Sequence, residues 1–265
     1  MKAAILTDVT KCIGCEECVA ACKKTNSLGD DLPVCDAPDD GLSATRWTSV
    51  IRKPKKHYVR KQCRHCLNPA CVSVCPVGAL QKTSIGAVTY DSTKCIGCRY
   101  CMMACPYGVP RYDWGKSVPY VRKCILCYDR LIAGKQPACT EACPAEATIF
   151  GDRGALLAEG KRRIQAAPKK YIPMVFGEFE IGGTSVLYLS DIKLDFLGWQ
   201  KDLGAEPLPE LTWNAINKVP SMFFGVGLLM SGVYWVIDRR IKLQKVRMES
   251  HEKANSEVQD DDKGC

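Results

Sequence analysis

Cys12-Ile13-Gly14-Cys15-Glu16-Glu17-Cys18-Val19-Ala20-Ala21-Cys22 sets four thiols at C-x2-C-x2-C-x3-C spacing, the spacing that grips a cubane iron–sulfur cluster. Three thiolates two residues apart wrap one cluster in a tight loop, and Gly14 supplies the backbone freedom such a loop needs. The fourth thiol, Cys22, leaves on a short helical segment toward a neighbouring cluster, so the motif predicts a second one. One-electron transfer is the chemistry this pattern offers.

The second motif follows. Asp91-Ser92-Thr93-Lys94-Cys95-Ile96-Gly97-Cys98, continued by Cys101 and Cys105-Pro106, repeats Asp8 to Cys22 and keeps the Thr-Lys-Cys-Ile-Gly-Cys core. A different box also occurs twice, as Cys63, Cys66, Cys71 and Cys75-Pro76 and as Cys124, Cys127, Cys139 and Cys143-Pro144. Each copy follows a basic lead-in, Val59-Arg60-Lys61 and Val121-Arg122-Lys123. Four boxes of four cysteines make sixteen ligands, enough for four clusters with nothing left over. Proline after the fourth cysteine suits the end of a short helical turn.

The chain holds 18 cysteines, and sixteen sit in metal-type spacings, which argues against a disulfide framework. Structural zinc is the stronger rival, but zinc takes two C-x2-C pairs, not triplets followed by C-x3-C-P. Cys35 and Cys265 lie outside the boxes and have no evident role. His65 sits between Cys63 and Cys66, yet four cysteines already serve that box, so packing or hydrogen bonding near the cluster is expected of it. His57 is a lone histidine. No Ser/His/Asp set and no phosphate-binding loop is present, so the chain is expected to be a non-catalytic electron-transfer subunit.

A formal net charge of +8 invites a nucleic-acid reading. Sixteen ligating thiolates and four oxidised cubane cores of about +2 each bring the sum close to zero, which removes that reading. Lys11, Lys23, Lys24, Lys61, Arg64, Lys94, Arg99 and Lys123 stand beside the boxes and are expected to compensate the clusters locally and raise their potentials.

The elements that must position these thiols are short. Residues 3–8 read as a first strand into box one. Residues 29–57, rich in Asp, Pro and Gly, read as an insertion loop with a strand at 47–52. Residues 77–91 read as a turn and a returning strand before the next box. The long spacer in box four, 128–138, is expected to reach a partner. An amphipathic helix over 152–166 carries Leu156, Leu157 and Ile164 on one side. Residues 167–212 hold no cysteine and read as an extended arm with a strand-like stretch at 183–189, lying over the cluster domain or a partner.

Val219 to Ile237 contains no charged residue. At about 1.5 Å per residue such a helix nearly spans a hydrocarbon core of ~30 Å. Trp213, Tyr234 and Trp235 are placed as interfacial anchors, and Arg239, Arg240, Lys242, Lys245 and Arg247 follow, against Lys218 alone on the other side. The positive-inside rule puts the C-terminus in the cytoplasm and the cluster domain outside. Ser221, Gly225, Gly227 and Ser231 offer a small-residue face for another membrane helix. The tail from 248 reads as disordered. With no leader ahead of Cys12, the cluster domain is expected to fold in the cytoplasm and to cross with a signal-bearing partner.

These boxes resemble those of the four-cluster iron–sulfur beta subunits of membrane-bound respiratory oxidoreductases, such as formate dehydrogenase, dimethyl sulfoxide or polysulfide reductase, and uptake nickel–iron hydrogenase. Cys63-Arg64-His65-Cys66 through Cys75-Pro76-Val77, Gly97-Cys98-Arg99-Tyr100-Cys101-Met102-Met103-Ala104-Cys105-Pro106-Tyr107 and Gly182-Gly183-Thr184 are most similar to the hydrogenase and formate dehydrogenase branch. The resemblance implies that ligands cross between boxes: Cys12, Cys15 and Cys18 with Cys143; Cys124, Cys127 and Cys139 with Cys22; Cys63, Cys66 and Cys71 with Cys105; Cys95, Cys98 and Cys101 with Cys75. It further implies a catalytic large subunit holding molybdenum, tungsten or nickel–iron, and a polytopic membrane subunit that handles quinone or haem.

The expected architecture is α+β, with a duplicated bacterial-ferredoxin-like domain over 1–150 holding four [4Fe-4S] clusters. A helix and extended arm follow over 151–212, then one transmembrane helix over 213–247 and a disordered tail over 248–265. The expected location is the inner membrane, single-pass, with the cluster domain periplasmic. A zinc-binding scaffold of a membrane assembly is the rival from another class.

Overall fold

Ala3-Ala4-Ile5-Leu6 is apolar on both faces of an extended strand, and such a strand belongs inside a sheet, covered from both sides. A computed structural model describes residues 2–30, 40–54, 57–114, 120–197, 199 and 203–261. β1 (Ala3–Asp8) leads through the first cysteine loop into α1 (Glu17–Thr25). The hairpin of β2 (Thr48–Lys53) and β3 (His57–Gln62) runs into the second box and α2 (Ala70–Ser73). The hairpin of β4 (Leu80–Lys82) and β5 (Val88–Tyr90) precedes the third box and α3 (Tyr100–Met103). β6 (Arg111–Tyr112) and β7 (Val121–Arg122) lead to α4 (Tyr128–Ile132) and α5 (Ala138–Glu141) of the fourth box. β8 (Thr148–Asp152), α6 (Arg153–Ala166) and β9 (Val186–Leu189) complete a unit that spans Met1–Leu211.

β1 is the centre of a three-stranded sheet in the order β8-β1-β9. It runs antiparallel to β8, with Ile5 opposite Phe150, and parallel to β9, with Ile5 opposite Val186. All six of its residues are buried. Ala3 and Ile5 pack with Val59, Leu126, Val186 and Tyr188 on one face. Ala4 and Leu6 pack with Leu156, Tyr171, Leu187 and Leu189 on the other. Two smaller apolar groups take cysteines directly into their packing, Cys63, Cys66, Cys105 and Cys124 in one and Cys71, Cys75, Cys95 and Cys101 in the other.

The pairing of β1 with β8 has a consequence for chemistry. It brings the chain just after Cys143 back beside the chain just before Cys12, across the whole length of the cysteine-bearing region. α6 then covers the second face, capped by Asp152, whose side chain accepts from Gly154 N–H at 2.9 Å. The segment after α6 is more than an arm lying over the domain. β9 is a strand of the same sheet, paired in parallel with β1, and all four of its residues are buried. Tyr188 Oη donates to Arg60 O at 2.7 Å and so ties this strand to the second box. The strand expected at 47–52 is β2. Of the expected insertion loop, 31–39 with Cys35 lies outside the described residues, as does Cys265.

The second unit spans Thr212–Cys265. α7 (Leu208–Ile216) straddles the boundary between the units, and α8 (Val219–Asp261) follows. Pro220 stands in the first turn of α8, where its missing N–H is tolerated, and the helix restarts there. Residues 208–250 hold a helical span of mean hydropathy 1.5, none of it buried, long and apolar enough to cross a membrane. The helix continues to Asp261 where a disordered tail from 248 is expected, because Glu, Lys, Gln and Ala in that stretch all favour helix.

Leu187 is fully buried between β1 and α6. Leu187→Ala is expected to destabilise the first unit by about 2–5 kcal/mol, read as a lowered midpoint in thermal or denaturant unfolding of anaerobically purified protein.

Candidate functional site

The first and third boxes are built alike. Asp8 Oδ1 accepts from Thr10 N at 3.1 Å and Thr10 Oγ1 at 2.6 Å, and Asp91 Oδ1 accepts from Thr93 N at 3.0 Å and Thr93 Oγ1 at 2.6 Å. The loops then turn through left-handed backbone at Gly14 (φ 74°) and Glu16 (φ 59°), and at Gly97 (φ 71°) and Arg99 (φ 66°). A Cβ at Gly14 would also lie 2.3 Å from the Tyr58 ring, so space and conformation both demand glycine. In the second and fourth boxes the left-handed positions are His65 (φ 48°), Leu126 (φ 58°) and Cys127 (φ 48°). Such turns aim backbone N–H groups inward. Gly97 N lies 3.5 Å from Cys95 Sγ, Leu126 N 3.4 Å from Cys124 Sγ and Ala79 N 3.2 Å from Cys75 Sγ.

The cysteines gather across the boxes. Cys12, Cys15, Cys18 and Cys143 line one cavity, together with Arg60 and Thr148. Cys75, Cys95, Cys98 and Cys101 line another, together with Tyr90 and Tyr112. Cys66 lies close enough to Cys63, Cys105 and Cys71 for their charges to act on it. Cys22 and Cys124 stand in the same relation to Cys127 and Cys139. Cys15 and Cys98 are exposed, whereas Cys22, Cys63, Cys101, Cys124, Cys127 and Cys139 are buried.

Burial, followed by the charge of neighbouring thiolates, sets the acidity of these groups. It pushes the Cys18 thiol up to about 11 and Cys22 up to about 12. Cys71 also rises to about 12 through burial, against the pull of Lys123. Cys66 and Cys124 are pushed up well beyond the ordinary 9.0 for the same reason. Without a bound group these sulfurs are protonated thiols, and loading a metal must expel their protons.

Three cations share this interior without an acidic partner among the described residues. Arg60 is 2% exposed and donates to Thr48 Oγ1 at 3.0 Å, Thr148 Oγ1 at 3.0 Å and Gln62 Oε1. Burial opposes its charge, while Cys139 and Cys18 support it. Lys123 is 3% exposed and donates to Val88 O at 2.6 Å and Cys124 O at 3.0 Å. Arg64 is 1% exposed. Of the other expected compensating charges, Lys61 is instead held by Asp40 at 2.7 Å, Lys94 pairs with Asp91 at 3.4 Å on the surface, and Arg99 stacks over Trp114 at 4.3 Å. Lys11 and Lys24 are exposed.

Other buried polar atoms are unpartnered among the described residues: Gln62 Nε2, the three guanidinium nitrogens of Arg64, His65 Nε2, Tyr90 Oη and Tyr107 Oη. All stand in or beside the cysteine boxes. His65 Nδ1 accepts from Val88 N–H at 2.9 Å, and burial with Lys123 and Lys82 nearby holds the imidazole well below its ordinary range. The ring is therefore neutral, and its proton belongs on the unpartnered Nε2. Buried polar atoms of this kind call for acceptors that the polypeptide does not supply, and the sulfurs of an iron–sulfur cluster are such acceptors. A single zinc ion fits less well. It draws its sulfurs to about 3.8 Å of one another, and no three His, Cys, Asp or Glu side chains among the described residues converge on one ion.

Residues 54–153 match the 4Fe-4S dicluster domain family. The chain is 38% identical over 241 residues to the Hydrogenase-2 operon protein HybA of Escherichia coli O157:H7, covering 74% of this chain and 72% of that one. It belongs to the iron–sulfur subunits of respiratory oxidoreductases. The formate dehydrogenase-O iron-sulfur subunit of Escherichia coli K12 is 35% identical over 198 residues, 69% of this chain and 65% of that one. The probable anaerobic dimethyl sulfoxide reductase chain YnfG of the same strain is 40% identical over 153 residues, 54% of this chain and 70% of that one. A [4Fe-4S]-bearing, ferredoxin-like electron-transfer subunit is thereby established for this chain.

Arg60, in sequence only part of a basic lead-in, lines the first cysteine cavity, a place no local pattern announces, and the same holds for Tyr90 and Tyr112 in the other cavity. The hairpin β4-β5 and the pair β6-β7 carry those rings to the cavity, and Tyr112 Oη lies 4.0 Å from Cys101 Sγ.

The raised thiols give a pH prediction with a definite sign. In the cluster-free chain their contribution to stability is present below the ordinary pKa of 9.0 and is lost as pH climbs toward about 11 to 12. The cluster-free chain is expected to melt lower at about pH 10 than at about pH 8, while the loaded chain, whose sulfurs carry no protons, changes much less.

Proposed function

We propose that the sixteen box cysteines hold four [4Fe-4S] clusters, with Cys12, Cys15, Cys18 and Cys143 as the first set and Cys22, Cys124, Cys127 and Cys139 as the second. Cys63, Cys66, Cys71 and Cys105 form the third, and Cys75, Cys95, Cys98 and Cys101 the fourth. On this reading the chain relays electrons between a catalytic subunit and a quinone-reactive membrane subunit. Its partners are the ones that the family resemblance implies, a catalytic subunit holding molybdenum, tungsten or nickel–iron on one side and a membrane subunit handling quinone or haem on the other. The names of the relatives as hydrogenase, formate dehydrogenase and dimethyl sulfoxide reductase components support it.

The observation that carries the relay is the order of the sets. Cys18 and Cys139 act on one another across the first and second sets, Cys124 and Cys63 across the second and third, and Cys71 and Cys101 across the third and fourth. The solvent-exposed cysteines, Cys15 and Cys98, stand in the first and last sets of that order. When bound, each cluster supplies reversible one-electron chemistry at a potential set by charge and hydrogen bonds around its sulfurs. The chain's own groups do the rest. The left-handed turns aim backbone N–H groups at the sulfurs, apolar neighbours such as Leu126, Val88 and Val121 exclude water, and Arg60 and Lys123 place fixed positive charge between successive sets.

The span from Val219 onward anchors the chain in the membrane on this reading. The basic residues from Arg239 to Arg247 face the cytoplasm, and the cluster domain lies on the periplasmic side.

Anaerobically purified protein is expected to contain about sixteen iron atoms per chain, and full occupancy by a redox-silent ion in their place would sink the reading. Cys124→Ala is expected to remove or convert one interior cluster and to cut quinone-coupled turnover of the complex by at least tenfold, while dye-coupled activity of the catalytic subunit persists. Unchanged iron and turnover would count against it. A phosphatase that works only in the periplasm, fused to the C-terminus, is expected to be inactive; activity would reverse the topology.

A further inference from the structure

Arg64 is the most confined cation in the described structure. Its side chain is among the largest that are fully buried, and Nε, Nη1 and Nη2 find no hydrogen-bond partner among the described residues. Three rings surround it, with the guanidinium carbon 4.5 Å from the Tyr188 centroid, 4.6 Å from Trp199 and 5.3 Å from Tyr107. The rings brace one another edge to face, at 5.4 Å for Tyr107 with Trp199 and 6.1 Å for Tyr188 with Trp199.

The backbone is held as firmly. Arg64 O accepts from Ser185 N and Val186 N at 3.1 Å each, which fixes the residue against β9. Gly177 leaves the guanidinium its room, since a Cβ there would stand 2.7 Å from Nη2. No carboxylate is in ion-pair contact with Arg64 among the described residues; Glu180, the acid beside the cage, is held instead by Gly177 N–H at 2.7 Å, and a guanidinium at this depth is costly without a counter-charge. Three aromatic faces attract a cation but do not neutralise it. Two thiols flank it in sequence, Cys63 and Cys66, and its charge reaches Cys66 and Tyr107. Tyr107 in turn lies near Cys66 and Cys105.

We propose that Arg64, fixed in its cage of Tyr107, Tyr188 and Trp199, is a counter-charge of the third cysteine set, alongside Lys123 and Lys82, and holds the cluster there at a higher reduction potential than the cysteines alone would give. The inference rests on the reading that Cys63, Cys66, Cys71 and Cys105 hold one cluster. The rings keep water from screening the charge and prevent the side chain from swinging away, so the cation acts at a constant distance through every oxidation cycle. Adding an electron makes the cluster more negative, and a fixed neighbouring cation favours that state. Arg64 is in this sense a positioning and tuning residue, without a bond to iron.

The test compares Arg64→Met, Arg64→Lys and the unaltered chain, each purified anaerobically in its complex, by iron analysis and redox titration followed by electron paramagnetic resonance. In Arg64→Met one cluster is expected to become at least tenfold harder to reduce, a downward shift of about 59 mV or more for one electron, while the other midpoints move less and the iron content holds. Arg64→Lys, which keeps the charge, is expected to recover most of the shift. Unmoved midpoints with full iron in Arg64→Met would overturn the proposal and leave the four-cluster reading intact. Loss of one cluster in Arg64→Met but not in Arg64→Lys would support it, because charge is then what the site requires. Loss in both variants would overturn it, because shape is then the requirement. Iron far below about sixteen atoms in the unaltered chain would instead sink the four-cluster reading on which the inference stands.

Discussion

Charge buried without a protein counterpart governs this fold. Arg60, Arg64 and Lys123 are each no more than 3% exposed and lack a carboxylate among the described residues. Other buried charges follow the ordinary rule. Asp8 receives Tyr171 Oη at 2.9 Å and Arg163 Nη1 at 3.3 Å, and Asp40 receives Lys61 at 2.7 Å and Arg111 at 2.6 Å. The unpaired three all stand where cysteines converge. A thiolate-bound iron–sulfur group completes such an interior, and without it the raised thiols are neutral and the cations uncompensated. Cluster loading therefore completes the charge balance of an interior that the polypeptide leaves unpaired.

The hydrocarbon core reflects the same constraint. It is divided into four small groups, and most of them take cysteines into their packing. Only the face of the sheet covered by α6 is packed without a cysteine. The three-stranded sheet serves as the clamp of the first unit, since β1 joins chain segments from its beginning, its middle and its last third in a single ladder. Cysteine loops hang from the ends of short strands and open into helices of a turn or two, which is all the secondary structure that such spacings leave room for.

The cysteine boxes and the candidate membrane helix are segregated along the chain. All box cysteines fall in the first unit, and the apolar span, none of it buried, occupies the second. A helix of this length, none of whose apolar span is buried among the described residues, is suited to lipid or to another membrane helix. Family membership as an iron–sulfur subunit of respiratory oxidoreductases accounts for both parts.

The chemistry was legible in the primary structure because a cluster-binding loop is local. Spacing, a left-handed glycine at Gly14 and Gly97, and an Asp-x-Thr turn all act within about a dozen residues, so reading them needs no knowledge of the fold. The first strand, the hairpin before the third box, α6 and the apolar span were legible for the same reason. Tertiary structure decided the rest. It set Cys143 beside Cys12 through the pairing of β1 with β8, and drew β9 into the sheet where an overlying arm was expected. It also separated Lys61, which has an acid to hold, from Arg60, which has only the neutral Thr48, Thr148 and Gln62 beside the cysteines, and from Arg64, which is ringed by Tyr107, Tyr188 and Trp199. Those outcomes depend on partners more than a hundred residues apart in some cases, as between Tyr188 and Arg60, and long-range packing of that kind leaves no periodic trace in the order of residues.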